Sequence, residues 1–225
     1  MILQPVALAA ICMMSFVAVA FSPDLTKRPD FTQSVVSVLP VWPGQSKGGA
    51  GQEPGKAPEG SGISIAPGVI VTAWHIIEPA ERIDVRLSDG RAIPAELIAS
   101  DAQTNITGLT LEAQLPVASY AEDVSVTEPV CAAGHAFGLG VSITCGIVSA
   151  SGISNAGSNP IEDFVQTDAA INPGMSGGAL FDHRGRRVGM ISSIYASEGD
   201  GNIGATSRTC DICSATGRRG AISRS

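Results

Sequence analysis

Along most of this chain apolar and polar residues alternate singly, the period of strands, rather than recurring every three or four positions as on helices. Residues 31–39 (FTQSVVSVL) open the series as a half-buried strand. Residues 43–60 (PGQSKGGAGQEPGKAPEG) then break it with glycine and proline, which predicts a long loop. Strand patterns resume at 62–65, 69–72, 83–87, 92–99 and 107–111, with Ser88-Asp89-Gly90 as a hairpin turn after the Ile83, Val85, Leu87 alternation. A second set occupies 129–133, 142–149, 164–167, 178–181 and 187–194. The interior shows no helix-length amphipathic stretch and no internal repeat. Two strand clusters of similar length predict an all-β chain of two small barrels side by side, 31–117 and 118–204.

Composition agrees with this and narrows the function. Of 225 residues, 26 are Gly and 14 Pro, which suits many short strands joined by turns. The formal charge of −7 speaks against a nucleic-acid surface, which needs a basic face. The charge is uneven, because residues 205–225 carry Arg208, Arg218, Arg219 and Arg224 against Asp211 and are net +3, leaving −10 on the body. Residues 2–21 hold no ionised side chain, a length that spans a bilayer. With Ala18-Val19-Ala20 as a cleavage pattern they read as a signal peptide, or else as a retained N-terminal anchor, and only that segment would touch a membrane. Either way the rest of the chain is expected outside the cytoplasm, periplasmic or secreted.

An oxidising compartment would allow Cys131 and Cys145, on what read as neighbouring strands, to pair. Cys210 and Cys213 form a lone CxxC without the strand-to-helix context of a redox motif. His135 and His183 are too remote in sequence from other ligands to argue for zinc, so no metal or cofactor is expected.

Three segments carry chemistry. The apolar run 68–74 delivers His75 at its end. Residues 166–178 (QTDAAINPGMSGG) form a glycine-rich turn presenting Ser176, and residues 101–109 (DAQTNITGL) form the third. A serine hydroxyl is a weak nucleophile until an imidazole takes its proton. The flanking glycines let successive N–H groups of Gly174, Met175 and Ser176 converge on one spot, where they could hold the oxygen of a tetrahedral intermediate. A lone histidine is more often a core or surface residue, and a lone GxSGG is often a plain turn. Both together at strand ends, in this order, make the chemical reading the stronger.

With GSGISIAPGVIVTAWH, the Leu87-Ser88-Asp89-Gly90-Arg91 hairpin, GHAFGLGVSITCGIVSA and QTDAAINPGMSGGALFDHRGRRVGMISSI, the sequence resembles the trypsin-like serine endopeptidases, specifically their HtrA (Deg/Do) branch, over roughly residues 33–204. The resemblance implies two six-stranded β-barrels, with His75 as general base, Ser176 as nucleophile, and Gly174 and Ser176 as oxyanion-hole amides. Ile171 and Met190-Ile191-Ser192 match segments bordering the pocket for the residue before the scissile bond, with a small-to-medium aliphatic preference. The implied partners are protein or peptide substrates bound in extended form.

Two departures stand out. Relatives read D-x-x-[ST]-D-[IL]-A where this chain has Asp101-Ala102-Gln103-Thr104-Asn105-Ile106-Thr107, so Asn105 stands at the triad acid. Such a change leaves the geometry but admits the wrong histidine tautomer, lowering kcat by about 10⁴-fold; Asp101 matches a separate acidic position and is not a substitute. A weakened peptidase or a peptide-binding pseudoprotease are the two functional expectations. The second departure is the ending. After 204 the chain reads ATSRTCDICSATGRRGAISRS, with little apolar periodicity and no PDZ domain after it, as a disordered tail at 205–225 or a frame-shifted ending would. The expectation is a second barrel left incomplete at its C-terminal edge.

Overall fold

The computed structural model describes residues 31–43, 59–78, 80–154, 156–157, 160–195 and 203–207. The leader at 1–21, most of the 43–60 loop and the Cys210/Cys213 pair lie outside the described residues.

The first barrel comprises β1 (Val35–Val41), β2 (Gly60–Ala66), β3 (Val69–Ala73), β4 (Arg82–Arg86), β5 (Ala92–Asp101) and β6 (Ile106–Leu111). Its strands run β1-β2-β3-β6-β5-β4, all neighbours antiparallel, and β1 pairs with β4 to close the cylinder. The second comprises β7 (Pro129–Gly134), β8 (Ser142–Ile153), β9 (Phe164–Thr167), β10 (Ala179–Asp182), β11 (Arg187–Tyr195) and β12 (Ile203–Ser207), in the order β10-β11-β12-β9-β8-β7. Pairing of β10 with β7 closes it. Closure gives each strand a neighbour on both sides, although the long β8 pairs with β7 over Ser142–Ile147 and with β9 only over Val148–Ile153.

The strand β12 corrects the expectation of an incomplete second barrel. Its backbone pairs with β9 on one side, Gly204 to Ser207 opposite Thr167 to Phe164, and with β11 on the other. The sequence IGATS lacks the alternation that pattern reading needs. Its main-chain hydrogen bonds to both neighbours place it as a strand where its residue pattern does not.

Alternation does account for the interiors. Val36, Val38, Ile63, Ile70 and Leu109 are fully buried in the first barrel, and Val148, Val165, Leu180 and Ile191 in the second. The two cores meet: Ala133, Ala179, Phe181 and Met190 of the second barrel join the apolar cluster of the first. The Phe181 ring also stacks on Phe31 with centroids 4.4 Å apart. This apolar seam fixes one barrel against the other and brings their strand ends to one cleft. In the second barrel Cys131 and Cys145 are register partners on β7 and β8 and are joined by a disulfide.

Candidate active site

Strand β3 ends in a single helical turn, α1 (Trp74–Ile77), whose second residue is His75. The turn is anchored from the side by Asn105, the residue before β6. Its carbonyl accepts from Trp74 N at 3.0 Å, while its side-chain Oδ1 accepts from His75 N at 3.0 Å and lies 3.0 Å from His75 Nδ1. Asn105 is buried and takes φ +59°, a left-handed conformation that asparagine tolerates better than most residues. Asp101 is spent on the preceding turn, accepting from Gln103 N at 2.9 Å and Thr104 Oγ1 at 3.0 Å, and does not reach the histidine as a substitute.

The orientation of Asn105 changes the expectation about the tautomer. A backbone N–H can only donate, so His75 N requires an oxygen, not the amide NH₂, in front of it. The same Oδ1 faces Nδ1, which must then carry the proton, leaving Nε2 as the acceptor that a base needs. At the other end of the amide Asn105 Nδ2 donates to Ser192 Oγ at 3.0 Å, a hydroxyl that accepts in this orientation. The wrong-tautomer expectation is thereby corrected: the obligate donor His75 N holds Asn105 with its oxygen toward the ring, and Ser192 Oγ accommodates the NH₂. What asparagine lacks is the negative charge.

Ser176 lies on the turn between β9 and β10. In a trans peptide the N–H points opposite the C=O, so the partners of the carbonyls report where the amides aim. Pro173 O accepts from Phe137 N at 2.8 Å and Met175 O from Gly178 N at 2.9 Å, which turns the N–H groups of Gly174 and Ser176 the other way. Neither amide donates to a protein acceptor among the described residues. The expectation that Met175 contributes a third donor is corrected, because Met175 N closes the turn onto Asn172 O at 3.0 Å and its side chain is fully buried. Gly174 must be glycine here: at φ +93°, a Cβ would stand 2.4 Å from His135 O.

The turn is pressed against the first barrel. Ser61 N donates to Ser176 O at 2.8 Å, and a Cβ on Gly177 would meet Ser61 O at 2.1 Å and Ala73 N at 3.0 Å, so Ser176 lies directly beside the start of α1. No hydrogen bond joins the His75 ring to the Ser176 hydroxyl among the described residues. Such bonds are often long without substrate and tighten in the complex.

The four residues expected at a specificity pocket are closed off. Side chains alternate across a strand, so on β11 Ile191 turns into the second core, while Met190 and Ser192 face the seam, Met190 in the first barrel's cluster and Ser192 under Asn105. Ile171 is fully buried in the second core. None of the four forms an open wall.

Sequence reasoning weighed His135 only as a zinc ligand, and its burial beside the Ser176 turn was not legible. Its side chain is 8% exposed and its Nε2 has no hydrogen-bond partner. Burial, with a smaller contribution from the Arg86 guanidinium, pushes its pKa down to about 4 from 6.5. An unfolded chain takes up that proton near 6.5 and the folded one only near 4, so stability falls as pH drops through this window. The loss amounts to about 3 kcal/mol at the acid end. Denaturation midpoints of wild type and His135→Gln between pH 7 and pH 4 check this: the wild type is expected to lose more stability, and parallel curves would contradict it.

For a metal, the described residues offer one grouping, Glu128, Asp182 and His183, with ligand atoms within 4.8 Å of one another. Its central carboxylate is already occupied by Arg186 Nε at 2.7 Å and by the amides of Arg184 and Arg186.

The family model described as "Trypsin-like peptidase domain" matches residues 60–190, which include His75, Asn105 and Ser176. The chain belongs to the trypsin-like peptidase family. Within it the resemblance runs to the HtrA branch. The chain is 39% identical over 167 residues to the periplasmic serine endoprotease DegP of Escherichia coli, covering 72% of this chain and 35% of that protein. To the periplasmic pH-dependent serine endoprotease DegQ of the same species it is 40% identical over 152 residues, covering 64% of this chain and 33% of that one. This peptidase domain thus spans about a third of the length of the curated relatives it matches. Among solved structures, the HtrA-type protease AlgW with a tripeptide aligns at TM-score 0.70 and 30% identity, over 82% of this chain and 61% of that one. The serine endoprotease from Yersinia pestis aligns at TM-score 0.67 and 30% identity, over 83% and 62%.

Proposed function

We propose that the chain is a serine endopeptidase of exported proteins, acting through an acyl-enzyme on Ser176. The observation that carries this reading is Asn105 Oδ1 within 3.0 Å of both His75 N and His75 Nδ1, which leaves Nε2 free to take a proton. Ser176 Oγ adds to the carbonyl carbon of the scissile peptide while its proton passes to His75 Nε2. The carbonyl oxygen, now negative, is held by the amides of Gly174 and Ser176. The imidazolium returns the proton to the leaving nitrogen and the C–N bond breaks. Water, deprotonated by His75 Nε2, then attacks the ester carbonyl; the imidazolium returns that proton to Ser176 Oγ as the ester C–O bond breaks, leaving the free serine and the new carboxylate.

The substrate is a protein chain in extended form, which can add to exposed main chain at the cleft as an extra strand. An unpolar leader at 2–21, the Cys131–Cys145 bridge and the periplasmic relatives support export, either as a periplasmic or secreted enzyme or anchored to the inner membrane by that leader. Asn105 favours a second reading, a pseudoprotease that binds peptides with little or no turnover. Covalent capture of Ser176 by a fluorophosphonate separates the two, since only a base-activated serine reacts.

A further inference from the structure

Ser61 lies on β2, in the other barrel from Ser176, and it is fully buried. All of its polar atoms are engaged, and three of the four hydrogen bonds cross between barrels. Its Oγ donates to Gly174 O at 2.7 Å and accepts from His135 N at 2.8 Å. Its N–H donates to Ser176 O at 2.8 Å, and its carbonyl accepts from Thr72 Oγ1 at 2.7 Å. The space is filled from the second barrel too, since a Cβ on Gly134 would stand 3.0 Å from Ser61 Oγ.

We infer that Ser61 is a positioning residue for the oxyanion hole, its hydroxyl setting the geometry in which the Gly174 and Ser176 amides meet a developing negative charge. The inference rests on the peptidase reading above. Two peptide planes bracket the Met175–Ser176 plane, which carries the Ser176 amide. The plane joining Gly174 to Met175 is held at its oxygen by Ser61 Oγ and at its nitrogen by Asn172 O. The plane joining Ser176 to Gly177 is held at its oxygen by Ser61 N and at its nitrogen by Ile191 O. One residue of the first barrel therefore grips both sides of the turn that carries the nucleophile, and the spacing of the two outward amides follows from that grip. The path from His135 N–H through the Ser61 hydroxyl to Gly174 O is a chain in which each bond polarises the next. Without the hydroxyl, Gly174 O and His135 N become buried and unpaired, and Gly174, at φ +93°, has the freedom to turn its peptide.

The test compares the full chain as wild type, Ser61→Ala and Ser61→Cys in binding a peptide boronic acid, which forms a tetrahedral adduct on serine, and the matching peptide with an uncharged C-terminal amide, which forms none. Ser61→Ala is expected to lose about 10- to 100-fold in boronate affinity, the scale of an oxyanion donor misplaced by a fraction of an ångström. Affinity for the neutral amide is expected to stay within about twofold, because an uncharged carbonyl makes little use of the two N–H groups. Ser61→Cys, with its weak S–H donor, is expected to fall between, and it decides by the same ratio if the alanine variant does not unfold cooperatively. Equal losses for both ligands, as a merely structural role would give, or no loss for either, overturn the proposal alone. A wild type that binds no boronate overturns the peptidase reading and the Ser61 proposal with it.

Discussion

Asn105→Asp is expected to raise kcat by about 10²- to 10⁴-fold. The upper figure is the cost of the reverse change in a well-characterised triad, where the amide also turns the histidine to the wrong tautomer. Here Asn105 Oδ1 already faces both His75 N and His75 Nδ1, so the tautomer is right and only the charge is missing. A hydrogen bond to a charged group is worth up to about 3 kcal/mol, which corresponds to about 10² in rate. The gain should therefore lie toward the lower figure. Ser192 does not oppose it, because its hydroxyl, now the acceptor for Asn105 Nδ2, can rotate and donate to a carboxylate. Steady-state hydrolysis of a peptide amide by both forms checks this, with the change expected in kcat and little in KM. An unchanged kcat would mean that Asn105 does not orient the base.

The second large effect is on stability. Gly177→Ala is expected to cost about 3–5 kcal/mol, combining a left-handed residue with overpacking. At φ +83° the added methyl would meet Ser61 O at 2.1 Å, Thr72 Oγ1 at 2.5 Å and Ala73 N at 3.0 Å. Two of these are main-chain atoms of the first barrel, so relief requires the seam to open. Gly90→Ala is the natural comparison: φ is +87°, yet nothing lies within 4 Å of its would-be Cβ, so only the conformational cost of about 1–2 kcal/mol remains. Urea midpoints for the two variants check the difference. Equal losses would show that the barrels do not meet at Gly177 as closely as described.

Much of this was legible in the sequence. Apolar patterning located eleven of the twelve strands among the described residues, some by alternation, as at Ile83, Val85 and Leu87, and some by short apolar runs such as 69–72, because strands buried on both faces, like β1, need not alternate. The strand leading to His75 and the glycine-rich turn at Ser176 were visible because their chemistry restricts residue types. The strand β12 was not, since its sequence IGATS carries neither an apolar alternation nor an apolar run. Met175 looked like an oxyanion donor because amide direction depends on who holds the neighbouring carbonyls, which sequence does not tell. Met190, Ile191 and Ser192 were read as pocket residues as a block, whereas the strand sends alternate members to opposite sides. Asn105 was identified from its position, but its rotamer required seeing His75 N and Ser192 around it. Ser61 sat unremarked in a quoted motif because its partners come from 113 and 74 residues away.

A fluorophosphonate probe applied to the full chain, with Ser176→Ala and His75→Ala as controls, decides whether this cleft still performs acyl transfer. The structure predicts slow covalent labelling of wild type at Ser176, located by peptide mass spectrometry, absent in Ser176→Ala and strongly reduced in His75→Ala. Wild-type labelling no greater than that of Ser176→Ala would contradict the peptidase reading and leave a peptide-binding module in its place.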